Sequence, residues 1–207
     1  MGLDITVLIA DWSWLGAAPA RERPRLLRDA WYDDATGFWE ADAPVVDGGW
    51  VLPRGPHQDR FALYEFTRTT GSFKPHFWAG SRWEDVRDHV DRPLRADLDT
   101  VLRGLIWDGP EGVELRVQPE VFGDGPETCG VLLARTPSGV RELAAAWDRA
   151  ARRPPGLGVL RAPFDAHAAD PTGWVGEFGA FELLLRDWGL ILTEAARRGW
   201  AVVGLSE

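Results

Sequence analysis

Cysteine is almost missing from this sequence: Cys129 stands alone among 207 residues. An intramolecular disulfide is excluded, and a reducing, cytoplasmic setting is expected. Lysine is equally scarce, since Lys74 accompanies 22 arginines, a bias that reads as the imprint of a GC-rich bacterial genome. Acidic residues outnumber basic ones 32 to 23, which leaves a net charge of −9. That balance argues against nucleic acid as a partner, because phosphate binding runs on a basic face. Long apolar runs are lacking as well; none approaches the ~20 residues of a bilayer span. The first residues carry no basic stretch followed by an apolar core and a cleavage site, so neither export nor a membrane is expected. Gly2 and Thr6 fit the loose myristoylation pattern, but the same residues read as a strand.

Catalytic and cofactor signatures are absent too. There is no Gly-x-x-x-x-Gly-Lys loop, no Gly-x-Gly-x-x-Gly, no His-Glu-x-x-His, no cysteine pair for zinc and no Gly-x-Ser-x-Gly elbow. No cofactor and no metal centre is implied. Against these shortages stand twelve tryptophans, 23 glycines and 15 prolines.

Leu3, Ile5, Val7 and Ile9 alternate, while Leu8 and Ala10 are apolar on the opposite side, the pattern of a strand buried on both faces. A helix is expected over 23–32, with Pro24 in its first turn. Strands are expected at Phe38–Trp39, Val45–Val46 and Trp50–Leu52, the last after an Asp47-Gly48-Gly49 turn. Phe61–Phe66 reads as a strand, and Thr70-Gly71-Ser72 as a turn into another over Phe73–Trp78. Ser81 and Glu84 form a capping box that would start a helix at 82. Leu94, Leu98, Val101, Leu102 and Leu105 mark an amphipathic helix after Pro93. Val113–Val117 and Cys129–Leu133 read as strands. Thr136-Pro137 caps a helix whose apolar face holds Val140, Leu143, Ala144, Trp147 and Ala151. Residues 161–174 read as irregular, followed by a helix over about 176–198 with Phe178, Phe181, Leu185, Trp188 and Leu192 on one side. Gly199 would close it before a last strand, Trp200–Leu205. Helices and strands mix without strict βαβ alternation. The expected class is α+β: one domain over 1–207, a mixed or antiparallel sheet packed with about four or five helices. Within it, 1–91 is a tryptophan-rich strand region and 92–207 is helix-rich.

Three features of the C-terminal part resemble the small bacterial YfbM-like family. They are the strand into a Thr-Pro-initiated helix (Leu132–Trp147), the Pro171-Thr172-Gly173-Trp174 segment before a long aromatic helix, and the helix–glycine–strand ending Ala195–Leu205. The tryptophan-rich N-terminal part does not follow the family. That family has no established activity, so the resemblance implies a fold and no chemistry.

Asp11 ends the first strand between aromatic neighbours Trp12 and Trp14, where open sheets place ligand-binding groups. Its simpler role is to cap the turn that follows. His57 and His76 could form an acid–base pair or, with Asp165, His167 and Asp170, supply metal ligands; scattered loop histidines are more often surface groups. Cys129, in an apolar strand, reads as inert packing. Trp31, Trp147 and Trp188 lie on apolar helix stripes and are expected in the core. Trp12, Trp14, Trp39, Trp50, Trp78, Trp83 and Trp174 fall at element ends or loops, and at least two of them should line a concave site.

Two functions follow. The first is a binding protein, immunity- or antitoxin-like, whose acidic aromatic surface engages a basic protein partner. The alternative is a small-molecule enzyme or ligand-binding domain. Asp11, His76 and His57 would then be its catalytic groups, and Trp12, Trp14, Trp50 and Trp78 the walls that stack on a small aromatic ligand.

Overall fold

A computed structural model of the chain describes residues 3–38, 48–112, 116–123 and 129–206. Five strands form one sheet: β1 (Thr6–Ala10), β2 (Trp50–Val51), β3 (Phe61–Tyr64), β4 (Val131–Arg135) and β5 (Ala201–Leu205). Their order is β2-β3-β1-β5-β4, and every neighbouring pair is antiparallel. The sheet therefore draws strands from both the 1–91 and the 92–207 regions.

The double-sided apolar pattern of β1 fits its central position. Ile5, Val7 and Ile9 join Ala62, Tyr64, Leu133 and Val202 on one face. Leu8 and Ala10 join Phe61, Ala134, Val203 and Leu205 on the other. A bulge between Val131 and Leu133 lets both Leu132 and Leu133 turn to the first face.

The first face is covered by α3 (Lys74–Val86), α4 (Arg92–Arg103), α6 (Pro137–Arg152), α7 (Arg161–His167) and α8 (Phe178–Arg198). The second carries shorter pieces: α1 (Trp12–Leu15), α2 (Arg23–Trp31) and α5 (Pro119–Phe122). The helix starts follow the local chemistry. Asp91 accepts the Leu94 amide at 2.9 Å and Thr136 Oγ1 the Gly139 amide at 3.3 Å. The approach of α6 to α8 depends on Gly189, where a Cβ would sit 2.0 Å from the Trp147 indole.

Several local expectations are corrected. Residues 74–78 begin a helix, not a strand, and Ser81 lies inside it. Pro75 occupies the first turn, and the buried positions Pro75, His76, Ala79, Gly80, Trp83 and Val86 recur at helical spacing. Trp83 is consequently fully buried. Residues 161–167 form α7, with Phe164 driven into the core. Cys129 is exposed, because the strand starts at Val131 after a left-handed Gly130 (φ 82°). Val117 makes only an isolated parallel bridge to Ala134. The strands expected at Trp39 and 45–46, and the Val113 and Leu115 positions, lie outside the described residues.

Candidate functional site

The sheet divides the residues singled out from the sequence. Asp11 directly follows β1 and accepts the Ser13 amide at 3.0 Å, so it caps α1. Trp12 and Trp14 pack on the second face of the sheet, with Arg23 and Arg60 over their rings at 5.1 and 5.7 Å. His57 lies on that side too, 6.1 Å from the Phe61 ring, with Nε2 2.9 Å from Asp33 Oδ2. That hydrogen bond holds the Asp33 carboxyl below the usual carboxylate range. His76 is on the opposite side, enclosed by Phe66, Phe73 and Trp188. Asp11, His57 and His76 are thus not brought together.

His76 accepts a 3.2 Å hydrogen bond from the Trp188 indole at Nδ1, which puts its own proton on Nε2. Burial pushes its pKa down to about 3, so the ring is neutral. Trp50 stacks edge-on against Tyr64 at 5.0 Å, behind the same aromatic layer. Trp78 carries the Arg82 guanidinium 5.2 Å from its ring. His167 stacks on His89 at 3.6 Å, away from the other two histidines' partners. Among the described residues, no group of three or more His, Cys, Asp or Glu could hold a metal ion.

Two hollows remain. A broad polar cleft of about 620 Å³ lies where β1 and β4 end, lined by Trp12, Ser13, Gln118, Thr136, Ser138 and Arg141 among others. Its central polar groups are already engaged: Gln118 Oε1 accepts both the amide and the hydroxyl of Thr136. Those contacts cap α6 and tie it to the segment before α5.

The second hollow is small and apolar, about 160 Å³. Four segments build it. The loop after β3 contributes Arg68 and Thr69, the start of α3 gives Pro75, and the loop before α8 gives Trp174 and Val175. Ala180, Leu183, Leu184 and Asp187 form one continuous face of α8 along its wall. Of the tryptophans expected to line a concave site, Trp174 lines this pocket and Trp12 the cleft.

The pocket's polar base is Asp187. Tyr64 donates its hydroxyl to Asp187 Oδ1 at 3.0 Å, and the Thr67 amide also bonds the carboxylate. Burial raises the Asp187 carboxyl above its usual range, and burial beside that carboxylate raises the Tyr64 hydroxyl as well. The floor behind them is aromatic, with Tyr64, Phe66, His76 and Trp188 in mutual ring contact at 4.6–5.6 Å where paired.

Both loops store backbone strain. Val175 (φ 54°) and Thr70 (φ 49°) sit in the left-handed region, costly for β-branched side chains. Gly176 is required because a Cβ there would lie 2.0 Å from the Asp170 carbonyl oxygen. Arg82 braces this loop through Asp170 at 3.4 Å, and the Thr172 hydroxyl and amide hold the Asp170 carboxyl below its ordinary range. Strain, a desolvated carboxylate and an apolar hollow coincide here, as they do at ligand sites. Asp187 and Tyr64 were not singled out from the sequence. The available signal was a carboxylate three residues after Leu184 and four before Ile191, inside the apolar stripe of α8.

No family model matches the chain, nor does any curated protein or solved structure. Among the described residues, no helix is long and apolar enough to cross a membrane.

Proposed function

We propose that this chain is a small-molecule-binding domain whose site is the pocket between α3, α8 and the two strained loops. The observation that carries the reading is Asp187: a buried carboxylate forming part of an otherwise apolar wall. A site with an apolar body and few polar groups orients a ligand through those groups. The volume supports the same reading, since a cavity of ~150 Å³ accommodates a benzene-sized guest. Trp174 at the wall, 46% exposed, supplies an indole that a ligand would cover. The test is a binding titration followed by tryptophan fluorescence and by the Trp174 indole resonance. Ala180→Trp fills the pocket from α8 and is expected to abolish the response to a small aromatic probe such as toluene. If wild type and Ala180→Trp respond alike, the pocket is not the binding site.

A second reading, a binding protein for a basic partner, draws on the net charge of −9 and on Phe77, 58% exposed beside Trp78 on α3. As an immunity- or antitoxin-like protein, the chain would hold a basic toxin by charge steering around an aromatic anchor. Phe77→Asp should then release a stoichiometric basic partner, and retention of that partner would refute the reading.

A further inference from the structure

We infer that the pocket takes an apolar α-amino acid, with its ammonium at Asp187, its carboxylate at Arg68 and its side chain in the hollow. This rests on the reading of the pocket as a ligand site. Arg68 and Asp187 are the charged residues among those lining it, and they have opposite signs. They also lie close together, because the amide of Thr67, the residue before Arg68, is bonded to the Asp187 carboxylate. Among the described residues neither forms an ion pair with the other, and Arg68 is exposed at the mouth while Asp187 is 6% exposed.

A ligand with a single charge fits this arrangement poorly. A bare amine would meet Asp187 under the repulsion of the neighbouring guanidinium, and a bare carboxylate would meet the reverse. A zwitterion answers both charges at once and brings no net charge into an apolar wall. Apart from Thr69, the remaining surfaces are apolar: Pro75, Trp174, Val175, Ala180, Leu183 and Leu184, suited to a branched aliphatic or aromatic side chain. A volume of about 160 Å³ admits one such group and excludes a sugar chain or a nucleotide. Tyr64 fixes the Asp187 carboxylate from behind at 3.0 Å, so its position is set before a ligand arrives.

The test compares L-leucine and L-phenylalanine with phenethylamine, 3-phenylpropionate and toluene, using calorimetry and the Trp174 indole signal. The amino acids should bind, and removing either ligand charge should weaken binding about tenfold or more. Arg68→Gln and Asp187→Asn should impose a similar loss on the amino acids, with circular dichroism and thermal unfolding reporting whether each variant is folded. Arg68 is exposed, so its variant decides the question even if Asp187→Asn fails to fold. If phenethylamine or toluene binds as tightly as phenylalanine, or Arg68→Gln changes nothing, the amino-acid assignment falls and the pocket reading stands. If no probe binds, toluene included, both fall.

Discussion

Mild acidification should weaken this protein through one imidazole, and the size of the effect follows from where His76 sits. The ring is fully buried, accepts the Trp188 indole proton at Nδ1, and has its pKa pushed down from 6.5 to about 3. In the unfolded chain the same ring takes up a proton near its ordinary value. The unfolded state therefore binds the extra proton between these two limits. Stability from this group is complete above pH 6.5 and is lost as pH falls toward 3. Each pH unit inside the window costs about 1.4 kcal/mol, so a drop from pH 7 to pH 5 removes about 2 kcal/mol. The comparison is with His76→Asn, whose amide oxygen can replace Nδ1 as the acceptor for Trp188 and does not titrate. Urea unfolding of both proteins at pH 7, 6 and 5, followed by tryptophan fluorescence, isolates the effect, since other titrating groups are common to both and cancel. The advantage of wild type over His76→Asn should shrink by about 2 kcal/mol across that range. A difference constant to within about 0.5 kcal/mol would refute the neutral buried assignment.

Two further outcomes test the packing that holds the site. Gly189→Ala should destabilise by about 1–3 kcal/mol, because the new methyl would collide with the Trp147 indole and push α6 from α8; thermal unfolding reads this, and an unchanged midpoint would mean that α6 shifts freely. Asp99→Ala should cost about 2–3 kcal/mol, since Asp99 accepts from Arg87 at 3.1 and 2.7 Å and from the fully buried Trp83 indole at 2.8 Å; chemical denaturation measures it, and a loss below about 0.5 kcal/mol would show the pair to be incidental.

The strand and helix periods carried most of the fold. The two-sided apolar run at 5–10 marked a strand that the structure places third of five in the sheet, and the 3–4 spacings in 94–105, 140–151 and 178–192 marked α4, α6 and α8. The errors fell where short-range chemistry pointed away from the tertiary outcome. Phe73, Phe77 and Trp78 favour strands intrinsically, yet the burial of His76, Ala79 and Trp83 sets a helical period there. Asp11 offered two readings, a site and a cap, and its hydrogen bond from the Ser13 amide is the capping one. The pocket could not be read locally, because it needs Arg68, Pro75, Val175 and Leu184 from four separate segments. Asp187 was the one visible trace: a charge on the buried stripe of α8, whose partner Tyr64 lies 123 positions away.

The strand order has a kinetic consequence. β1 pairs with β5 in a register that sets Thr6 opposite Leu205, and β5 is also the neighbour of β4 in the sheet. A growing chain thus presents β1, β2 and β3 early, with one edge of β1 lacking its partner and β4 lacking a sheet to join. Residues 201–205 bridge the two portions, so the sheet closes only when that segment has left the ribosome. Such long-range closure slows folding, and until it happens β1 offers a bare apolar edge to other chains. The same five residues that complete the core also cover that edge of β1.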